Sequence, residues 1–199
     1  MKLAFLGGSF NPLHIGHLAL AEEVRIELGY DKILFIPVNI PPHKQLARGA
    51  SAVQRLEMLR RATEDNPAFA VEPCEIERSG VSYTHETVRY LLNEYGGRLS
   101  AKPALIMGWD QALGFPTWNQ PDEIAAHADL IVARRPDDLC GNSGTQDTPP
   151  FDYAYTALKN PPLAVSSSGI RQMIACGGPW RYLVPDAVYR YIMEHNLYR

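Results

Sequence analysis

A chain of 199 residues, 46% of them hydrophobic, can bury a core of its own, and its length suits one domain. The formal net charge of −3 excludes the broad basic field that long nucleic acids require. Cys74, Cys140 and Cys176 are scattered and no pair has metal-ligand spacing, so reduced thiols are expected, with neither a disulfide framework nor a structural zinc site.

Residues 3–6 are a short apolar run closed at once by Gly7-Gly8, the pattern of a buried strand, expected over 2–6. From Leu18 onward Leu20, Val24 and Leu28 recur every four residues and Gly29 ends the run, so a helix is expected over 18–28. Further strands are expected at 32–36, 68–72, 103–107, 129–133 and 162–165, and further helices at 51–65, 84–95, 120–127, 168–176 and 185–195. Strands alternating with helices predict an α/β, doubly wound domain over 1–199, with a mostly parallel sheet and a small helical extension at its C-terminal side. The stretch "RRPDDLCGNSGTQDTPPFD", 134–152, is rich in Pro, Gly, Asp, Ser and Thr and predicts a long mobile loop inside that domain. The first strand begins directly, without a secretory leader, and no apolar run reaches membrane-spanning length, so a cytoplasmic protein is expected.

The first strand-to-helix turn reads "GGSFNPLHIGH", Gly7 to His17. In an open α/β sheet such a turn lies at the carboxyl end of the strand, where ligands bind. Glycines permit close approach of backbone, and the following helix points free N–H groups and its positive dipole end at the same spot. His14 and His17, three residues apart, add side-chain donors there. Singly, each of these residues also fits a plain turn or a packed core; together they make an anion site, with phosphate the natural anion.

Five other segments carry chemistry. In "IPVNIPPHKQ", Pro41-Pro42 extends the backbone before His43 and Lys44, where the lysine is either a solvated charge or a phosphate contact. Ser82, Tyr83 and Thr84 precede a helix, with Thr84 as the expected N-cap and a first turn suited to a small carboxylate. "MGWDQALGFPTWNQ" offers Gly108 for close approach, Asp110 for sugar hydroxyls, and Trp109 and Trp118 as flat faces that serve either a ring or the core. "AVSSSGIRQMI" sets Ser166, Ser167, Ser168 and Arg171 at a helix start, either a second phosphate site or a serine cap with a surface arginine. Arg134 and Arg135 follow the fifth strand, as phosphate or adenine contacts or as surface charge packed on its stems. Neither a G-x-G-x-x-G dinucleotide turn nor a G-x-x-x-x-G-K-[ST] loop occurs, and no G-x-S-x-G elbow or H-E-x-x-H is present.

"GGSFNPLHIGH" resembles the G-G-x-F-[DN]-P-x-H-x-G-H signature of the nucleotidyltransferase superfamily, and "SSSGIR" resembles its S-[ST]-[ST]-x-[IV]-R signature. With "PPHK", "SYTHETV", "GWDQALGFPTW", "LIVARRP" and "YIMEHNLYR" in order, nearly the whole chain is similar to the bacterial nicotinate-nucleotide adenylyltransferases. It departs from them at Asn11, where many relatives carry Asp, and at Gly169, where relatives often carry a bulkier residue. The literal "HIGH" at 14–17 also suggests a class I aminoacyl-tRNA synthetase, but the chain is short and lacks a K-M-S-K-S-like loop.

The resemblance implies a Rossmann-like fold and transfer of AMP from ATP, with magnesium, to nicotinate mononucleotide, giving deamido-NAD and pyrophosphate by direct in-line attack. A phosphate monoester is mostly dianionic near neutrality, so no general base is needed; the site must align two anions and neutralise the leaving pyrophosphate. The resemblance assigns ATP binding to Gly7, Gly8, Ser9, Phe10, His14, His17, Lys44, Ser166, Ser167, Ser168 and Arg171, with His14, His17 and Arg171 catalytic. It assigns the mononucleotide to Ser82, Tyr83, Thr84, Asp110, Trp118 and Arg134, and gives the chain no metal ligands of its own. The expected partners are the two substrates, with no nucleic acid or membrane, and a homo-oligomer is left open.

Overall fold

The structure is a computed structural model that describes residues 1–42, 49–133, 152–159 and 163–199. Six strands form one sheet: β1 (Leu3–Gly8), β2 (Lys32–Pro37), β3 (Phe69–Val71), β4 (Ala104–Met107), β5 (Asp129–Ala133) and β6 (Thr156–Leu158). Their order is β3-β2-β1-β4-β5-β6, and every described pair is parallel. In that order the chain winds outward in one direction from β1 and in the other from β4, so the crevice at their carboxyl ends is the topological switch point.

The strands read as unbroken apolar runs because both faces are covered. Ala4, Leu6, Ile33, Phe35, Ile106 and Ile131 point into one core; their neighbours Leu3, Phe5, Leu34, Leu105 and Leu130 point into the other. Helices α1 (Ile15–Leu28), α2 (Ala52–Thr63), α7 (Ser167–Ala175) and α8 (Asp186–Glu194) cover the first, through residues such as Val24, Leu59, Ile170 and Val188. Helices α3 (Cys74–Arg78), α4 (Thr84–Tyr95), α5 (Trp109–Gly114) and α6 (Pro121–His127) cover the second, through Cys74, Leu91, Ala112 and Ile124. Local signals set the helix ends. Ser51 Oγ accepts from Gln54 N–H at 3.2 Å while Gln54 Oε1 accepts from Ser51 N–H at 2.9 Å, a capping box that starts α2. The C-terminal extension is α8, which packs beside α2 as part of the first helical layer.

The structure corrects the expected elements in four places. The sixth strand lies at 156–158, not at 162–165; the described part of that segment, 163–165, is not a strand. Thr156-Ala157-Leu158 is a sheet edge with only Leu158 buried, so it lacks the apolar run that marks the inner strands. Helices α3 and α5 were not expected, being too short to display a helical period. Tyr83, not Thr84, occupies the N-cap of α4: its backbone is extended and its side chain makes no capping bond, which leaves Thr84 as the first helical residue. Of the expected loop 134–152, residues 134–151 lie outside the described residues.

Candidate active site

At the switch point Gly7, Gly8 and Ser9 floor a pocket of about 280 Å³. A Cβ placed on Gly7 would meet no protein atom within 4 Å, so the missing side chain leaves open pocket rather than relieving a clash. Ser82, Tyr83 and Thr84 also line the pocket, as do Asp110, Gln111, Trp118 and Asn119, and Pro41 and Pro42. The walls are largely apolar, with Phe5, Val38 and Leu105 among them.

The turn at Ser82–Thr84 is pinned before its helix begins. Ser82 N–H donates to the Ile40 carbonyl at 2.8 Å, and Asn39 N–H donates to Ser82 Oγ at 3.0 Å. Asn39 Nδ2 holds the Gly80 carbonyl at 2.9 Å. The first N–H groups of α4, on Thr84 and His85, have no carbonyl within the helix to meet, as at any helix start. Glu75 also lines the pocket. It is buried and accepts from Thr87 Oγ1 at 2.7 Å; burial raises its carboxyl pKa, while hydrogen bonds from the Thr87 and Ser82 hydroxyls oppose that rise. Sequence reasoning missed Glu75 because α3, which carries it, has no periodic signature.

His14 and His17 sit outside this enclosed pocket, at the start of α1. Their rings stack, with centroids 3.7 Å apart and planes inclined by 25°. His14 N–H donates to His17 Nδ1 at 3.3 Å, so the neutral His17 ring carries its proton on Nε2. Burial lowers the His14 pKa to about 4; burial first, and the His14 charge second, put His17 well below its ordinary value. Both rings are therefore neutral donors near pH 7. His14 Nδ1 is buried and finds no partner among the described residues.

The start of α7 meets the same turn. Ser166 caps the helix, its Oγ accepting from Gly169 N–H at 3.1 Å. A Cβ on residue 169 would come 3.2 Å from that oxygen, so the glycine leaves the cap room. Ser167 Oγ donates to the Pro12 carbonyl at 2.8 Å, and Arg171 Nη1 donates to the Asn11 carbonyl at 2.7 Å. Ser168 stays exposed. Beneath the turn Arg55, 1% exposed, donates from Nη1 to the Ser9 carbonyl at 2.8 Å, while its Nε and Nη2 find no partner among the described residues. Burial lowers its pKa, yet arginine stays charged, so a fixed positive charge lies under the glycine turn.

The sequence-expected residues thus fall into two neighbouring groups. Gly7, Gly8, Ser9, Ser82, Tyr83, Thr84, Asp110 and Trp118 share the pocket; Phe10, His14, His17, Ser166, Ser167, Ser168 and Arg171 gather around the turn and the helix starts beside it. Phe10 is buried, its ring edge-on to His17 at 5.0 Å. Trp109 opens α5 and packs on the second core, away from the pocket lining. Lys44, Arg134 and Arg135 lie outside the described residues. Among the described residues no three His, Cys, Asp or Glu side chains cluster to hold a metal ion. The turn offers N–H donors and guanidinium groups, which suit phosphate oxygens and not a cation. No helix among the described residues is long and apolar enough to cross a membrane.

Comparison with known proteins places the chain in a family. Residues 5–173 match the family model described as cytidylyltransferase-like. A protein of Treponema pallidum named probable nicotinate-nucleotide adenylyltransferase is 42% identical, over all of both chains. One of the same name from Salinibacter ruber is 42% identical over all of this chain and 98% of its own. Among solved structures, Plasmodium falciparum nicotinic acid mononucleotide adenylyltransferase complexed with NaAD superposes with a TM-score of 0.77 at 16% identity, over 99% of this chain and 97% of that one, a likeness of fold. An enzyme by these relationships, the chain is a nucleotidyltransferase that belongs to the cytidylyltransferase-like family, among the nicotinate-nucleotide adenylyltransferases.

Proposed function

We propose that the protein transfers the AMP moiety of ATP to nicotinate mononucleotide, releasing pyrophosphate and forming deamido-NAD by direct in-line attack. The observation that carries this reading is the shared pocket: the glycine turn, the α4 start and Trp118 all line it. ATP lies along the turn and the α1 and α7 starts. The pyridine ring stacks on Trp118, and its carboxylate meets the first N–H groups of α4.

The chemistry needs no base, because the attacking phosphate is already mostly ionised near pH 7. What the chain supplies is alignment and charge. Neutral His17 donates from Nε2 to a phosphate oxygen without competing for protons, and Arg171 and the buried Arg55 offset the charge that grows on the leaving pyrophosphate. Magnesium, when present, would be held by the ATP phosphates and would offset part of their charge.

A preference for nicotinamide mononucleotide would need an acceptor for the amide N–H₂ group. Glu75 is one acceptor at the pocket wall, part of its capacity taken by the Thr87 and Ser82 hydroxyls, whereas the first N–H groups of α4 can only donate, which suits a carboxylate. The acid is therefore the favoured acceptor. The test is to incubate the protein with ATP, magnesium and, separately, nicotinate mononucleotide, nicotinamide mononucleotide and phosphopantetheine, and to measure pyrophosphate. Release is expected with the first, slower with the second and absent with the third. Equal or faster release with either of the others would overturn the assignment.

A further inference from the structure

The geometry points to Tyr198 as a positioning residue for the phosphate-binding turn: its hydroxyl fixes Asn11, and through Asn11 the Gly8–Phe10 backbone. This inference rests on the reading above that the turn receives the ATP phosphates.

The turn does not hold its shape unaided. Phe10 has a φ of 44°, in the left-handed region that non-glycine residues seldom adopt. Its shape is imposed by groups from distant parts of the chain. Arg55 and Arg171 grip the Ser9 and Asn11 carbonyls, and Ser167 grips that of Pro12. These three hold main chain. The Asn11 side chain, only 2% exposed, is held by Tyr198 OH at 2.8 Å and by Ala50 N–H at 3.3 Å, both donating to Oδ1.

The segment after α8 is shaped to deliver that hydroxyl. Leu197 is buried in the first core, and Asn196 and Tyr198 both take positive φ, 49° and 68°. The Tyr198 ring lies where a side chain on residue 49 would be: a Cβ on Gly49 would sit 2.5 Å from Tyr198 Cε1, and the Gly49 φ of 155° itself favours glycine. Arg171 and Arg55, the two guanidinium groups that hold the turn, also act electrostatically on the Tyr198 phenol. A phenylalanine at 198 would fill the same space. The hydroxyl adds the specification of where Asn11 lies.

The test uses the full chain. Tyr198→Phe should lower kcat/KM for ATP about tenfold, the effect of one net hydrogen bond, with Tm shifted by no more than a few degrees. The KM for the mononucleotide should stay within about twofold, because Tyr198 reaches only the ATP side. Asn11→Leu should show a loss at least as large, and Asn11→Asp, which keeps an acceptor oxygen, should recover most of it. The double variant Tyr198→Phe/Asn11→Leu should lose no more than Asn11→Leu alone, since both remove the same bond. Tyr182→Phe, 84% exposed on the turn before α8, is the control and should match wild type. Wild-type kcat/KM in Tyr198→Phe, losses that multiply in the double variant, or an equal rise in the mononucleotide KM would each overturn the inference. If wild type fails to adenylylate nicotinate mononucleotide, the functional reading falls instead. The ratio of dissociation constants for a non-hydrolysable ATP analogue, Tyr198→Phe against wild type, then carries the test: a rise of about tenfold supports the inference and an unchanged value overturns it.

Discussion

The His14 and His17 rings lie face to face with centroids 3.7 Å apart, and both are held neutral by their surroundings. Protonating either would place a charge in a desolvated stack beside a second titratable ring. The folded-state pKa of His14 is about 4 against an ordinary value of 6.5, so as pH falls the unfolded chain binds protons first. The stabilisation is complete above the unfolded value and is lost as pH drops towards about 4, to a total of roughly 3 kcal/mol. Urea midpoints measured from pH 7.5 to 5, above most carboxylate titrations, should fall steadily in wild type. They should fall less in His14→Gln. Identical slopes would mean that this ring titrates normally.

His17→Ala removes the Nε2 donor. One preorganised donor to a developing anion is typically worth about 10²–10³ in rate, so kcat should fall by that factor while ATP affinity changes much less. Thermal unfolding should stay close to wild type. Near-normal turnover by the folded variant would remove His17 from the mechanism.

Trp118 is half-buried at the pocket wall, with Phe115 tilted against it at 5.4 Å. Trp118→Ala should raise KM for the mononucleotide by a factor set by roughly 1 kcal/mol of ring stacking plus lost contact area, leaving KM for ATP little changed. Trp118→Phe should recover part of the loss. A large drop in Tm with both constants intact would identify Trp118 as core.

Because Thr84 is the first residue of α4 and not its cap, Thr84→Pro is a clean probe. Proline suits that helical position, and Tyr83, at φ −108° and ψ 131°, already has the backbone that precedes proline. The substitution deletes one N–H and leaves the helix standing. An unmet buried polar group costs about 1–3 kcal/mol, so a wild-type preference for the acid over the amide of up to roughly a hundredfold in kcat/KM should shrink sharply. An unchanged ratio would show that this turn does not read the carboxylate.

Arg55 is a buried cation with one hydrogen-bond partner, the Ser9 carbonyl, among the described residues. Replacing an uncompensated buried charge by an apolar side chain of similar length is often neutral or stabilising. Arg55→Met should therefore keep or raise Tm, yet lower kcat/KM for ATP by about ten- to a hundredfold through loss of the charged hydrogen bond under the turn. Paired falls in both would make Arg55 structural only.

Much of this molecule was legible in its residues, for identifiable reasons. The inner strands are covered on both faces, so each is a continuous apolar run bounded by turn signals; β6 escaped because it is an edge with one buried residue. The glycine turn and the Ser82–Thr84 segment stood out by composition and position. The cap of α4 was misplaced by one residue because Thr84 has the better capping side chain, although Tyr83 has the capping backbone. Arg55, Glu75 and Tyr198 carried no local mark. Each gains its place from a contact across the chain, which no window of neighbouring residues displays.

The ties on the glycine turn also set an order of events. Its carbonyls and the Asn11 side chain are held by partners 46, 155, 160 and 187 positions away along the chain. Contacts of such separation close late, after local helices and neighbouring strand pairs have formed. Of these four ties, a chain that still lacks α7 and the segment after α8 has only that of Arg55, and the other three wait for Ser167, Arg171 and Tyr198. On the function proposed above, the nucleotide site therefore reaches its full shape only after Tyr198 has docked against Asn11.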